Sequence, residues 1–354
     1  MEKYPNGALP EIRTEEERNK DYTRDELYSA VPLQWIDWSE WKNIPANKKL
    51  MEDIIIHNQN GASSCVSNAC SYVVAINNYF EENIYKHFSA RWIYPRRRNK
   101  PSEGMFFDDA AKLLVDYGGI EEALMPSDNM SESILNTVTD ALQSYITIGK
   151  IYAPKNYVWV KLTIDDFAQA LNTGRPLLMG VTFGNGEWGT DVPEIKTDIT
   201  SYGHGIAATP NAFFYYQGKK AILIVDSWGI TNPMKGFRIL TDDWFTNHRI
   251  TAGIQFLDLQ NKNFDVIPQL PKYAFNQDLQ LGDKNDDVKK LQEIFSIMGF
   301  FPDTQEFTGL YGGITRKAVV DFQLARGIIQ TKDDIGAGRF GPMTRSKMNS
   351  ILSY

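Results

Sequence analysis

The chain has 354 residues, enough for two average domains, and its 42% hydrophobic and 23% charged residues are ordinary for a globular protein. Its net charge of -7 excludes general nucleic-acid binding, which needs a basic surface; we interpret the one short basic cluster, Arg96–Arg98, as a solvated loop. No stretch approaches the ~18 apolar residues of a membrane span, and the N-terminus lacks an apolar signal-peptide core, so we expect synthesis in the cytoplasm. The two cysteines, Cys65 and Cys70, lie on one predicted helix and are not expected to form a disulfide.

The predicted elements change in type along the chain. Residues 1–32 are polar and charged, and we interpret them as an N-terminal arm, extended or marginally helical. Helices are predicted from residue 65 to about 80, over 107–117 before Gly118-Gly119, and over 165–172. Strands are predicted over residues 176–183, 204–208, 212–216, 221–225 and 253–257. Helices followed by strands predict an α+β protein with two facing lobes.

Cys65 is a candidate nucleophile because a turn-rich loop, residues 59–64, leads into a helix at this position. The positive end of a helix stabilises a thiolate, which is the reactive form of cysteine. Gln59 is placed to donate a side-chain N–H that would form an oxyanion hole with the backbone N–H of Cys65. Taken alone, Cys65 is weak evidence, because free cysteines are more often buried structural residues.

A candidate base and its partner occur later in the chain. Among the four histidines, His204 is flanked by glycines and leads into a strand, whereas His87 and His248 have no supporting neighbours and are expected to be surface or capping residues. His57 is too near Cys65 in sequence to reach it across a cleft. Asp226 follows an apolar strand, and a polar group at a buried strand end needs a partner, for which an imidazole N–H is suited. Trp228 would shield that hydrogen bond from water.

These segments together resemble the papain-like cysteine peptidases, from about residue 33 to residue 258. The matching segments, in order, are Ile36-Asp37-Trp38, Gln59 to Cys65, Glu103-Gly104-Met105, Gly203-His204-Gly205-Ile206 and Asp226-Ser227-Trp228-Gly229 with Gly236-Phe237 beyond. The separation of Cys65 from His204 lies within the window of about 130–150 residues known for such enzymes. The resemblance implies a two-lobed papain-like fold and catalysis without cofactor or metal. It implies catalytic roles for Cys65, His204, Asp226 and Gln59, and substrate contacts at Gly104, Gly203 and Trp228.

The sequence departs from the family in ways that bear on activity. Asp226 replaces the usual asparagine; a carboxylate can still orient and stabilise an imidazolium, but we expect a shifted pH profile. The N-terminal arm is too short for the family's usual helical prosegment, so self-inhibition in that form is not expected. The peptidase-like domain is assigned to residues 33–262, followed by a proline-containing linker at 263–278.

Residues 279–354 resemble a peptidoglycan-binding domain of three short helices. The motifs are the Leu291-Gln292 and Phe322-Gln323 pairs and two Gly-x-x-Thr turns, ending at Thr315 and Thr344. We interpret the apolar positions as core and the two threonines as helix caps. The resemblance implies a cell-wall ligand, although such a small domain also serves as a spacer or docking piece.

Two functions are compatible with these features. The first is a cysteine endopeptidase acting on peptide or protein substrates at the bacterial cell wall, of phage or bacterial origin, released by lysis or carried in a virion. The second is a catalytically inactive papain-fold protein that binds peptides or forms part of a virion. The reactivity of Cys65 and its dependence on His204 distinguish the two.

Overall fold

The computed structural model describes residues 7–10, 13–19, 21, 33–82, 84–138, 140–198, 200–259, 271–298, 300–302, 305–326 and 328–352. They form two compact units: the first comprises Met1–Glu122, Ser127–Asn136 and Tyr152–Gln260, and the second comprises Ala123–Pro126, Thr137–Ile151 and Asn261–Tyr354. Most of the predicted arm, and residues 263–270 of the predicted linker, lie outside the described residues. The predicted domain boundaries stay predictions; the second unit also takes two segments from the middle of the chain.

The helices confirm the three predicted in the first unit. In chain order the α-helices are α1 (Glu15–Arg18), α2 (Trp38–Trp41), α3 (Pro45–Asp53), α4 (Cys65–Glu82), α5 (Phe107–Tyr117), α6 (Glu132–Leu135), α7 (Asp140–Ser144), α8 (Ile146–Ile151), α9 (Ile164–Leu171), α10 (Asp243–Thr246), α11 (Asp286–Ile297), α12 (Gly313–Ala325) and α13 (Pro342–Leu352). Short 3-10 turns occur at Ala90–Trp92 and Tyr94–Arg96. Helix α5 ends at the predicted glycine, because Gly118 has a positive φ of 63° that other residues rarely adopt.

An antiparallel sheet forms the centre of the first unit. Its strands are β1 (Pro154–Trp159), β2 (Leu177–Phe183), β3 (Tyr202–Tyr216), β4 (Lys219–Val225), β5 (Phe237–Thr241) and β6 (Ile250–Leu259). Their order across the sheet is β1-β6-β2-β3-β4-β5. The two strands predicted at 204–208 and 212–216 are one strand with a register shift between Ala208 and Phe213. Strands β1 and β5 were not predicted from the sequence.

The sheet carries helices that position the candidate site. Helix α9 packs against β3 and β4, in a core that includes Phe167, Leu171, Ile206 and Trp244. Helix α4 packs against β2 and β3 and is buried along most of its length, from Cys65 through Tyr79. The predicted α+β class is confirmed.

The second unit contains a twofold internal repeat built on two buried glutamines. Gln292 accepts from the backbone N–H of Gly309 and donates to Thr315 Oγ1, at 3.0 and 2.9 Å. Gln323 makes the same contacts with Gly338 N, at 2.8 Å, and with Thr344 Oγ1, at 2.9 Å. The interpretation of these threonines as caps is wrong for Thr315, since α12 begins after Gly312 without a side-chain cap.

The segments from the middle of the chain contribute to the core of the second unit. The ring of Tyr145 lies 5.5 Å from that of Phe300, edge to face, and Tyr145 is fully buried. The Arg326 guanidinium donates to the carbonyl of Ala123. The second unit is therefore held together across distant parts of the sequence.

The cysteines, the apolar character of the helices and the short basic cluster were each the subject of an expectation from the sequence. Cys65 and Cys70 are both free thiols, as expected. Among the described residues, no helix has the length and apolar character needed to cross a bilayer. The interpretation of Arg96–Arg98 as a solvated loop is wrong for its first two residues: Arg96 stacks on Trp92, and Arg97 is 2% exposed and donates to a backbone carbonyl.

Candidate active site

Cys65 is the first residue of helix α4 and directly follows a tight turn. Asn60 and Gly61 both have left-handed backbones, with φ of 49° and 73°, and the N–H of Ala62 donates to the carbonyl of Gln59 at 2.9 Å. The chain therefore reverses just before the helix begins. Cys65 is fully buried and lies at the helix end where backbone N–H groups are unpaired.

His204 lies beside Cys65 because strand β3 and helix α4 approach closely at a glycine. His204 pairs with Val181 across the β2–β3 ladder, and Gly205 follows it. A Cβ on Gly205 would lie 2.7 Å from Cα of Val66, closer than any side chain allows, so only glycine permits this packing. The His204 side chain lies close enough to Cys65 for the thiol to affect the ionisation of the imidazole. The structure thus brings together the thiol and the imidazole selected from the sequence.

Asp226 orients the imidazole from the other side. It follows the last residue of β4, Val225, which pairs with Ala207 of β3. Its Oδ1 lies 2.8 Å from Nε2 of His204, and both side chains are almost fully buried. With Nε2 facing Asp226, Nδ1 is the ring nitrogen that remains for the thiol.

Asp226 has two further partners that were not predicted from the sequence. Its second oxygen, Oδ2, accepts from Nε1 of Trp188 and from Nε of Arg238, both at 2.8 Å. Arg238 lies within β5 and is 5% exposed, so its charge is compensated by the carboxylate. A single arginine within the apolar run Phe237–Thr241 was the only signal for this contact. Trp188 had no comparable signal.

The buried charges shift the protonation of both residues. Burial lowers the pKa of His204, but the charge and hydrogen bond of Asp226, together with Cys65, outweigh it and raise that pKa to about 9. Burial raises the pKa of Asp226, but His204 and Arg238 outweigh it and hold the pKa well below its usual range. At neutral pH the pair is therefore an imidazolium and a carboxylate.

Gln59 is fixed next to the same site. Its side-chain Oε1 accepts from Oγ of Ser227 at 2.6 Å, and Nε2 donates one hydrogen to the carbonyl of Ala62 at 2.7 Å. Its backbone N–H pairs with the carbonyl of Ser227 at 2.9 Å. The second hydrogen of Nε2 has no such partner among the described contacts, so the amide can donate to a further oxygen.

An extended segment of the arm, residues 7–9, lies across this site. The N–H of Leu9 donates to the Met105 carbonyl at 3.1 Å, and the N–H of Met105 donates to the Gly7 carbonyl at 2.9 Å. The N–H of Ala8 donates to the carbonyl of Gly203 at 3.3 Å. A Cβ on Gly7 would lie 2.5 Å from Sγ of Cys65, so the main chain touches the thiol. The groove beside Cys65 thus binds an extended peptide backbone.

The three predicted substrate contacts differ in position. Gly203 pairs with the arm segment directly. Gly104 does not: its N–H donates to the hydroxyl of Tyr94 at 3.2 Å, and the next residue, Met105, forms the ladder. Trp228 is partly exposed, with its ring centroid 4.9 Å from that of His204.

Solved structures with the same arrangement of helices and sheet identify the fold. A cysteine protease from Xylella fastidiosa, xylellain, is 16% identical, with a TM-score of 0.56 over 73% of this chain and 97% of that chain. Digestive procathepsin L 3 from Tenebrio molitor larval midgut is 14% identical, with a TM-score of 0.52 over 72% of this chain and 77% of that chain. The fold is papain-like. No curated protein matches the sequence.

The region that follows the papain-like fold matches the model of a known domain family. Residues 284–348 match the family model of a peptidoglycan binding domain. This match covers α11, α12 and most of α13, including both buried glutamines of the internal repeat. It confirms the resemblance of the C-terminal region.

Proposed function

We propose that this protein is a cysteine peptidase that hydrolyses peptide bonds and that residues 284–348 direct it to the bacterial cell wall. One observation carries the proposal: an extended main chain, residues 7–9, already lies in the groove between Met105 and Gly203 and touches the Cys65 thiol. A peptide substrate would use the same backbone donors and acceptors. Xylellain, which shares this fold, is a cysteine protease, and this supports the proposed function.

The chemistry proposed for the site is covalent acyl transfer. Cys65 thiolate attacks the carbonyl carbon, forming the C–S bond, while Gln59 and the Cys65 backbone N–H receive the developing oxyanion. His204 gives its Nδ1 proton to the leaving amine as the C–N bond breaks. Water then attacks the thioester with His204 as base, which releases the carboxylic acid and the thiol. Asp226 remains ionised throughout and holds the imidazolium, helped by Arg238.

The wall is the proposed destination because of the C-terminal domain, and the substrate class includes the peptide stems and bridges of peptidoglycan as well as proteins. Phage or bacterial origin, and release by lysis or carriage in a virion, belong to the same proposal.

Two substrates test the proposal with one set of variants. The full chain is incubated with purified peptidoglycan sacculi, measuring released amino groups, and with denatured casein. We expect activity on at least one of them, its loss in Cys65→Ala and His204→Ala, and its retention in Cys70→Ala, whose buried thiol lies outside the site. The Cys65→Ala protein is expected to sediment with sacculi but not with cellulose, because its C-terminal domain is proposed to bind peptidoglycan.

The inactive alternative predicts a different result. In that case neither substrate is cleaved, and alkylation of Cys65 does not depend on His204. Casein cleavage without sedimentation on sacculi would support the peptidase and reject the cell-wall destination.

A further inference from the structure

Two histidines outside the candidate active site face each other in the first unit. Nδ1 of His57 lies 3.3 Å from Nε2 of His87, and their ring centroids are 4.3 Å apart. The expectation that His87 is a surface residue without neighbours is wrong: it is 16% exposed and lies against a fully buried imidazole. His248 is exposed, as expected.

Two carboxylates complete this cluster. Asp128 places Oδ1 2.9 Å from Nδ1 of His57 and Oδ2 3.4 Å from Nε2 of His87. Glu122 is the third member of a group, with His57 and His87, whose ligand atoms all lie within 4.8 Å of one another. The two imidazoles and the Glu122 carboxylate are a donor set typical of zinc and related divalent metals.

The burial of the cluster suits a metal site. The His57 side chain is fully buried and that of His87 is 16% exposed, so an ion bound between them would be shielded from water. Nδ1 of His57 is the nitrogen that faces His87 and Asp128; its Nε2 lies on the other side of the ring, buried and without a hydrogen-bond partner among the described residues.

The distance between the two imidazoles fits a shared ion. Metal–ligand bonds of about 2.1 Å place neighbouring ligand atoms of a tetrahedral ion about 3.4 Å apart. The imidazole nitrogens are separated by 3.3 Å, and Glu122 is the third ligand of the group, whereas Asp128 is hydrogen-bonded to Nδ1 of His57 at 2.9 Å. Glu122 is held in place by the backbone N–H and hydroxyl of Ser127, so its approach to the ion is oriented by hydrogen bonds.

We propose that His57, His87 and Glu122 form a binding site for a divalent transition metal of the zinc class, and that Asp128 orients the two imidazoles. The carbonyl of His57 accepts from the N–H of Gly229 at 3.0 Å, and Gln59 lies two residues further along the chain. The ion therefore joins the segment that carries Gln59 to residues 122–128. Its role is structural, because none of its ligands contacts Cys65 or His204 in the described residues.

The test uses the full chain with Cys65→Ala, so that the active-site thiol offers no competing ligand. Protein freed of metal with a chelator is titrated with Co²⁺, following the visible absorption of tetrahedral cobalt, and with Zn²⁺ by calorimetry and thermal unfolding. We expect one ion per chain and a Tm that rises with Zn²⁺ concentration. In His87→Asn and Asp128→Asn, we expect Kd to rise at least ~10-fold.

His248→Asn is the matched control, since His248 is exposed and its left-handed backbone, with φ of 54°, tolerates asparagine. Circular dichroism checks that each variant folds; if His87→Asn does not, the isosteric Asp128→Asn decides. Absence of a saturable metal signal overturns the proposal, and so does equal affinity in Asp128→Asn and the parent.

Discussion

Gly7→Ala is expected to expose the Cys65 thiol in the full-length chain. The added methyl would lie 2.5 Å from Sγ of Cys65 and 2.8 Å from the Ser63 carbonyl oxygen, whereas carbon contacts need about 3.5–4.0 Å. The arm segment must therefore retreat by about 1 Å or more. Its three backbone hydrogen bonds to Met105 and Gly203 are broken by such a movement.

The size of the effect follows from those hydrogen bonds. At about 0.5–1.5 kcal/mol each, they favour the occupied groove by roughly 1.5–4.5 kcal/mol. Since about 1.4 kcal/mol corresponds to a factor of ten, the exposed population should rise by roughly 10-fold to 1,000-fold.

The assay is the second-order rate of alkylation of Cys65 by iodoacetamide, followed by peptide mass. Cys70 is an internal reference, since burial raises its pKa far above the usual value. Gly189→Ala is the matched control, because a Cβ there meets nothing within 4 Å. If Gly7→Ala reacts no faster than the wild type and Gly189→Ala, the arm segment does not limit access to the thiol.

Three further predictions concern the buried charges and Gln59. Because the pKa of His204 is about 9 when folded and about 6.5 when unfolded, the stability it contributes is complete below pH 6.5 and lost as the pH rises through 9. The free energy of unfolding, measured with urea, should fall by up to about 3 kcal/mol over that pH range. If His204→Ala shows the same fall, the titration of His204 is not its cause. Asp226→Asn leaves Arg238 buried without a counter-charge and should lower the free energy of unfolding by about 3–5 kcal/mol. Adding Arg238→Met to Asp226→Asn should recover at least half of the lost stability. If it recovers none, the uncompensated charge of Arg238 is not the cause of the loss. Gln59→Ala should lower kcat of the proposed peptidase by ~100- to 1,000-fold with little change in KM, and a change confined to KM would argue against an oxyanion role.

The departure of Asp226 from the usual asparagine has a physical explanation in the structure. A buried carboxylate is unfavourable unless its charge is balanced, and Arg238 on the neighbouring strand provides the balance. The two residues are twelve apart, and only the β4–β5 pairing brings them together. The sequence could therefore suggest Asp226 from its position after an apolar strand, but not the residue that makes a carboxylate acceptable there.

Features at the ends of elements were predictable, and those that depend on distant pairing were not. Cys65 follows a turn, and His204 lies beside glycines, so local signals identified both. Residues 7–9 contain nothing that predicts their pairing with Met105. Likewise, His57 and His87 are separated by 30 residues, and their contact depends on how the chain after α4 folds back.

The way the second unit is assembled affects how this protein can be divided. Its core includes Tyr145, which the chain supplies long before the peptidoglycan-binding residues begin. A stop codon placed between residues 260 and 270 would remove the helices that cover this tyrosine and leave an apolar surface behind. Grafting residues 271–354 onto another enzyme would likewise transfer an incomplete core, so modular exchange requires the internal segments to travel with the C-terminus.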